Sequence, residues 1–212
     1  MKLSVIIPVY NEAKTILEVI KRVKGVPFEK EIIVVDDGST DGTARILKEN
    51  RQGLTVLFNE KNSGKGAAIR TALPHITGDV VIIQDADLEY DPSDYLPMLE
   101  ALLAGRGDIV YGSRYLRYPG AGALGNLLAG RHPGQSWTAC LGGQSLSLVA
   151  LALTGHYLTD TVTALKLFRR EMLSGLDLRT TGFELDHEIT AKMLRRGRRI
   201  VEVPIRYFPR TK

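Results

Sequence analysis

The chain is poor in sulfur and in tryptophan: Cys140 is the only cysteine and Trp137 the only tryptophan among 212 residues. A lone cysteine forbids an intrachain disulfide, which fits a reducing compartment. Long apolar runs are missing as well. The longest, Leu146 to Leu153, falls far short of the roughly 20 residues a membrane-spanning helix needs. Met1-Lys2-Leu3-Ser4 leads straight into strand-like sequence, so no signal peptide is expected. There is no internal repeat and no low-complexity tract. His132, His156 and His187 lack metal-ligand spacing and read as surface or packing residues. The dinucleotide fingerprint G-x-G-x-x-G is absent after the first strand, where Pro8-Val9-Tyr10-Asn11-Glu12 stands, and the P-loop spacing is absent after the third. The net charge of +4 suits phosphate substrates, an anionic membrane surface or nucleic acid. No nucleic-acid-binding signature accompanies it, so nucleic acid is not an expected partner.

What is present is an alternation. Apolar, β-branched runs predict strands over residues 3–9, 31–35, 54–58, 79–84, 108–112, 164–170 and 199–207. Between them lie helical patterns. One runs from Glu12 to about Lys24 with Asn11 as N-cap and Ile16, Ile20 and Val23 on one face. A short one carries Ile46 and Leu47, another opens at NSGKGAAIRTAL, and a late one opens at 182–188 with Leu185, Ile189 and Met193 inward. Such alternation predicts one α/β domain with a parallel sheet and right-handed crossovers. Residues 115–158 break the rhythm: a Gly-rich stretch precedes an apolar, nearly uncharged segment over 136–158. That segment reads either as a buried helix or as an amphipathic element at a membrane surface.

Asp85, Asp87 and Glu89 follow the fourth strand at alternate positions. In extended chain, alternate side chains point the same way, and converging carboxylates are costly without a cation among them. Hard oxygen ligands suit Mg²⁺ or Mn²⁺, and ligands of open α/β sheets bind at the carboxyl ends of the strands. An acidic turn capping the next helix is the alternative, although Asp91-Pro92 and Asp94 suffice for that. Asp37, ending the second strand, reads either as an acceptor for a base N–H or as a cap for the helix that follows. Asn62-Ser63-Gly64-Lys65-Gly66 offers backbone N–H groups and a lysine where a helix begins, a setting that attracts phosphate. Arg114 reads as a phosphate ligand or as the partner of a surface carboxylate, and Asp160 with Lys166 as an ion pair. Tyr111, Tyr115 and Tyr118 either pack or line a lipid groove. The run Arg195 to Arg199 is a solvated helix end or a contact for anionic headgroups.

PVYNE, VVDDGSTDGT, NSGKGAAIRTAL, DADLEYDP and GSRY, in this order, resemble the family 2 glycosyltransferases. LTDTVTALKLFRR and GFELDHEITAKMLRRGRRIVEVPIRYFPR resemble the branch of dolichyl-phosphate mannose synthases and polyprenyl-phosphate glycosyltransferases. The resemblance implies an α/β fold of GT-A type: a single Rossmann-like nucleotide-diphospho-sugar transferase domain over 1–212 with a mostly parallel central sheet. Within it, 1–113 would bind the nucleotide sugar and 114–212 would face the acceptor. The implied reaction is inverting, metal-dependent transfer of a hexose from GDP-mannose or a UDP-sugar to a polyprenyl or dolichyl phosphate. The implied donor site is Pro8, Val9, Tyr10, Glu12, Asp37, Lys65, Asp85, Ala86 and Asp87. Asp85, Asp87 and Glu89 would hold Mg²⁺ or Mn²⁺; Asp85, Asp87 and Arg114 would be catalytic; Arg114, Arg131 and Arg210 would meet the acceptor phosphate. The implied location is cytoplasmic, peripheral at the cytoplasmic membrane face. The chain departs from relatives at Gly143-Gln144, where a basic residue is common, at Leu165, where an aromatic is usual, and in having no Gly-Lys segment after Arg210. Other readings are a hydroxyl acceptor in polysaccharide or glycolipid synthesis and a sugar nucleotidyltransferase, although the latter class carries a Gly-rich basic loop where PVYNE stands. Processive synthases carry Q-x-x-R-W, a context Trp137 lacks. A binding module without catalysis would not need Asp85 and Asp87.

Overall fold

The first strand, β1 (Leu3–Val9), is buried along its whole length, as a strand without polar alternation is when both faces of its sheet are covered. Leu3, Val5, Ile7 and Val9 enter one apolar core and Ile6 the other. The computed structural model describes residues 1–116, 145, 147–148, 151–152, 155, 157–173 and 175–210. Its other strands are β2 (Lys30–Asp36), β3 (Thr55–Phe58), β4 (Val80–Ile83), β5 (Ile109–Ser113), β6 (Lys166–Arg169) and β7 (Ile200–Pro204). They form one seven-stranded sheet in the order β3-β2-β1-β4-β6-β5-β7. All pairings are parallel except those of β6, which runs antiparallel to both β4 and β5. The strands on either side of residue 113 thus belong to the same sheet.

Helices cover both faces. On one lie α1 (Ile16–Gly25), which buries Ile16, Val19, Ile20 and Val23; α2 (Thr43–Glu49), through Leu47; and α4 (Tyr95–Leu103), through Tyr95, Met98, Leu99 and Leu102. On the other lie α3 (Lys65–Ala72), through Ala68, Ile69 and Ala72; α5 (Arg170–Leu173), through Met172; and α6 (Leu185–Arg195), through Leu185, Ile189 and Met193. Each of the larger apolar side chains contributes about 1.5–3 kcal/mol by leaving water.

Several local expectations are corrected. Asn11 does not cap α1. It sits at φ 55, its side-chain oxygen accepts from the Thr40 N–H, and a turn over Glu12 to Thr15 delays the helix to Ile16. Residues 85–89 are not extended: the chain turns there, with Leu88 at φ 67, so alternation no longer aims the three carboxylates together. The last strand ends at Pro204, beyond which Tyr207 makes one isolated bridge to Tyr90. Asp160 and Lys166 do not pair with each other: Asp160 binds Arg114, and Lys166 binds Asp186. Arg131, Tyr118, His132, His156 and most of 136–158 lie outside the described residues.

Candidate active site

From β1 the chain reaches β2 and β3 on one side, while β4 lies on the other. The carboxyl ends of β1 and β4 therefore flank a topological switch point, where open sheets bind ligands. A cleft of about 270 Å³ opens there. Pro8, Val9, Tyr10 and Glu12 line it from the end of β1, Asp37 from the end of β2 and Lys65 from the start of α3. Asp85, Ala86 and Asp87 line it from the end of β4. The structure thus gathers every residue expected on the donor side. It also brings in Asn62 and Gly64, from the stretch expected to attract phosphate, and two residues that sequence reasoning missed, Ala68 and Phe183. Asn62 and Gly64 sit within the NSGKG stretch, read from the sequence as a phosphate setting through its backbone N–H groups and its lysine. Phe183 carried no pattern signal, being an isolated aromatic in a loop, and it stands 76% exposed at the rim.

Asp37 holds a loop. Its carboxylate accepts from the Asn59 amide at 2.6 Å and from the backbone N–H groups of Ser63 and Gly64 at 2.9 and 2.7 Å. It therefore fixes the NSGKG turn and does not cap α2, whose first N–H, that of Thr43, donates to Asp41. Gly64, at φ 95, and Gly66 allow residues 180–182 to lie on this turn: a Cβ at Gly66 would stand 2.7 Å from the Thr180 carbonyl oxygen. The Ala67 N–H donates to the Thr181 carbonyl at 3.1 Å, and this contact carries Phe183 to the cleft, 5.8 Å from the Lys65 ammonium.

The Lys65 ammonium lies 2.8 Å from Asp85 Oδ1 and 3.8 Å from Asp186 Oδ2. Burial opposes its charge, but Asp85 and then Asp186 outweigh burial and hold its pKa above the usual lysine range. Among the described residues no cation pairs directly with Asp87. Burial, and then the negative charge of Asp85, push its carboxyl up to about 6, although Arg210 lies near enough to draw that pKa down in part. Its Oδ1 accepts a local 3.1 Å bond from the Glu89 N–H. Glu89 is taken by the C-terminal arm, accepting from the Tyr207 hydroxyl at 2.8 Å and the Arg210 N–H at 3.1 Å. Among the described residues no three His, Cys, Asp or Glu side chains form a ready metal cage. The donor chemistry still fits a divalent cation. Asp85 and Asp87 supply hard oxygens at the lip of the cleft, and Mg²⁺-type ions commonly complete their shell with waters and substrate phosphates.

Arg210 reaches across the same mouth. Its guanidinium donates to Glu12 Oε1 at 2.6 Å and to the Asp87 carbonyl at 3.2 Å. Arg114 stands apart. It grips Asp160 through two side-chain bonds of 2.7 and 2.8 Å, and its backbone N–H adds a third at 3.1 Å. The Tyr207 ring centroid is 5.1 Å from its guanidinium carbon. Asp160 is in turn placed by Glu202, which accepts from the Thr159 N–H, the Thr159 hydroxyl and the Asp160 N–H at 2.8 to 2.9 Å. Tyr111 and Tyr115 are buried and pack.

The sheet order, the switch-point cleft and the carboxylates at its lip define a GT-A-type nucleotide-sugar transferase fold. The chain belongs to glycosyl transferase family 2, whose model matches residues 4–174. Among curated proteins it is similar to glycosyltransferase AglJ of Haloferax volcanii, 31% identical over 208 residues, covering 97% of this chain and 63% of the relative. It is also similar to dolichol-phosphate mannosyltransferase of Pyrococcus furiosus, 30% identical over 211 residues, covering 98% of this chain and 56% of the relative. The chain thus spans 63% and 56% of the lengths of these two relatives. Among solved structures it resembles a mannosyltransferase from Pyrobaculum calidifontis in complex with GDP-Man and Mn²⁺, with a TM-score of 0.66 and 26% identity over 95% of this chain and 54% of that one.

Proposed function

We propose that this chain is the catalytic domain of an inverting, divalent-metal-dependent glycosyltransferase that moves a hexose from a nucleotide sugar to a polyprenyl phosphate. The observation that carries the reading is the switch-point cleft, which unites Tyr10, Glu12, Asp37, Lys65, Asp85 and Asp87. The names of the relatives support it: one is a dolichol-phosphate mannosyltransferase, and one solved neighbour holds GDP-Man and Mn²⁺. In this reading the NSGKG turn and the start of α3 receive the diphosphate. Asp85 and Asp87 hold Mg²⁺ or Mn²⁺, which supplies charge neutralisation for the departing diphosphate when bound. Lys65 stands beside Asp85 and adds a second positive charge. Glu89 supports the C-terminal arm, and Arg210 closes that arm over the donor. Arg114 and Arg131 are assigned to the acceptor phosphate, Arg114 with the part of its fork that Asp160 leaves open. The acceptor-side half, 114–212, includes the segment 136–158, assigned to a membrane surface at the cytoplasmic face. No helix among the described residues is long and apolar enough to cross a membrane.

A phosphate monoester acceptor needs no protein base. Its second pKa is about 6, so at neutral pH it already carries a nucleophilic oxygen. A hydroxyl acceptor would need a positioned carboxylate or histidine to take its proton. The test is transfer from GDP-mannose and UDP-glucose, with Mn²⁺, to a short polyprenyl phosphate, repeated with an acceptor of lower phosphate pKa. The acid limb of the rate profile moves down with the acceptor's pKa if the phosphate is the nucleophile. A limb that stays fixed across acceptors, and vanishes with one carboxylate-to-amide change, assigns the enzyme to a hydroxyl acceptor.

A further inference from the structure

Lys166 is fully buried, as is most of Asp186, and neither lines the cleft. Their placement follows from the antiparallel run of β6. Because β6 is reversed, its first residue, Lys166, comes level with Tyr111 near the carboxyl end of β5, on the side of the sheet where the cleft opens. The Lys166 ammonium meets Asp186 Oδ1 at 2.6 Å, donates to the Thr163 carbonyl and lies 5.0 Å from the Tyr111 ring centroid. Asp186, in the first turn of α6, turns its other oxygen to Lys65 at 3.8 Å. Lys65 reaches Asp85 at 2.8 Å. Four charges of alternating sign therefore run inward from the cleft: Asp85, Lys65, Asp186, Lys166.

A buried ion pair is a poor source of stability, because desolvating both charges consumes most of their attraction and apolar residues of similar size do as well. What the inner pair does supply is a fixed anion behind Lys65. A lysine on four rotatable bonds loses much rotamer freedom when it is held in one place. Here that cost is met on folding, before any ligand arrives, and pre-set charges at a reacting centre are the most effective kind. The arrangement also gives Lys65 two anchors of different fate. Asp85 lines the cleft, where a ligand cation can compete for it, whereas Asp186 is buried behind the cleft and bound to Lys166.

We propose that Asp186, held by Lys166, is a positioning residue that keeps the Lys65 ammonium at the diphosphate side of the cleft when Asp85 engages the donor complex. This rests on the donor-site reading given under Proposed function. Lys166 and Asp186 act through Lys65 and touch no substrate.

The test is calorimetric titration of UDP, GDP, UMP and GMP, each with Mn²⁺, into wild type, Asp186→Asn, Lys65→Ala and the Lys65→Ala/Asp186→Asn double variant. The apolar replacement Lys166→Met/Asp186→Leu is measured beside them and carries the test if Asp186→Asn fails to fold. Asp186→Asn weakens the diphosphates about tenfold and the monophosphates far less, and it adds nothing on the Lys65→Ala background, as expected for residues acting as one unit. Equal weakening of mono- and diphosphates, full additivity with Lys65→Ala, or wild-type diphosphate affinity in Asp186→Asn overturns the proposal while the donor site stands. Wild type that binds neither UDP nor GDP overturns the donor-site reading and this inference with it.

Discussion

Arg114 and Asp160 form a two-pronged ion pair, Nε to Oδ2 at 2.7 Å and Nη2 to Oδ1 at 2.8 Å, with Asp160 wholly buried. Removing one partner strands the other charge inside the protein, at a cost of about 3–5 kcal/mol. Arg114→Ala is therefore expected to lower the melting temperature clearly, and Arg114→Ala/Asp160→Ala to lower it by less than the sum of the single changes. Lysine cannot reproduce the fork, so Arg114→Lys is expected to lose both activity and stability. Arg114 read as a free phosphate ligand would predict lost activity with stability unchanged, and the geometry replaces that expectation. Thermal melts of the four-member cycle decide the matter; strict additivity contradicts the pairing.

Glu202 gives a pH signature. Burial pushes its carboxyl up to about 7 despite the bonds from Thr159 and Asp160, against about 4.3 for a free glutamate. A folded-state pKa above the unfolded value means that the unfolded chain releases its proton first. The contribution of Glu202 is thus fully present below pH ~4.3 and is lost as pH rises through about 7. Glu202→Gln is expected to remove that component from the stability–pH curve, whatever offset the lost charged bonds introduce. Urea melts of both proteins from pH 4.5 to 8 test it, and parallel curves across that window contradict it.

Gly66 lies in the first turn of α3, where alanine would ordinarily be at least as well tolerated as glycine. Here the added Cβ meets the Thr180 carbonyl oxygen at 2.7 Å. Gly66→Ala is expected to destabilise the protein and to shift the loop that carries Phe183. A melting temperature equal to or above wild type shows that the close approach of these segments is not enforced.

Much of this was legible in the sequence for a physical reason. Strands buried on both faces announce themselves as continuous apolar runs, so β1, β2 and β4 stood out. The donor side is built from short stretches at successive strand ends, so their order exposed it. The acceptor side is assembled from distant segments. Nothing near Asp160 names Arg114 as its partner, because that contact depends on β6 running backwards between β4 and β5. The same reversal hid the pairing of Lys166 with Asp186. Period-two reasoning failed at 85–89 because a residue at positive φ, Leu88, breaks the alternation on which it relies. Glu89, past that break, is bound by Tyr207 and Arg210 of the C-terminal arm.

As a nucleoside-diphosphate site that acts together with a divalent cation at Asp87, the cleft has a direct thermal signature. The most direct measurement is the melting temperature of wild type and Asp87→Ala with UDP or GDP, each with Mn²⁺ and with excess EDTA. A ligand that binds only the folded state at 100 times its Kd adds about 2.7 kcal/mol, a shift of several degrees for a chain of this size. That shift is expected for at least one nucleotide with wild type and Mn²⁺, and none with EDTA or with Asp87→Ala. No shift with either nucleotide, or an equal shift in EDTA and in Asp87→Ala, would contradict it.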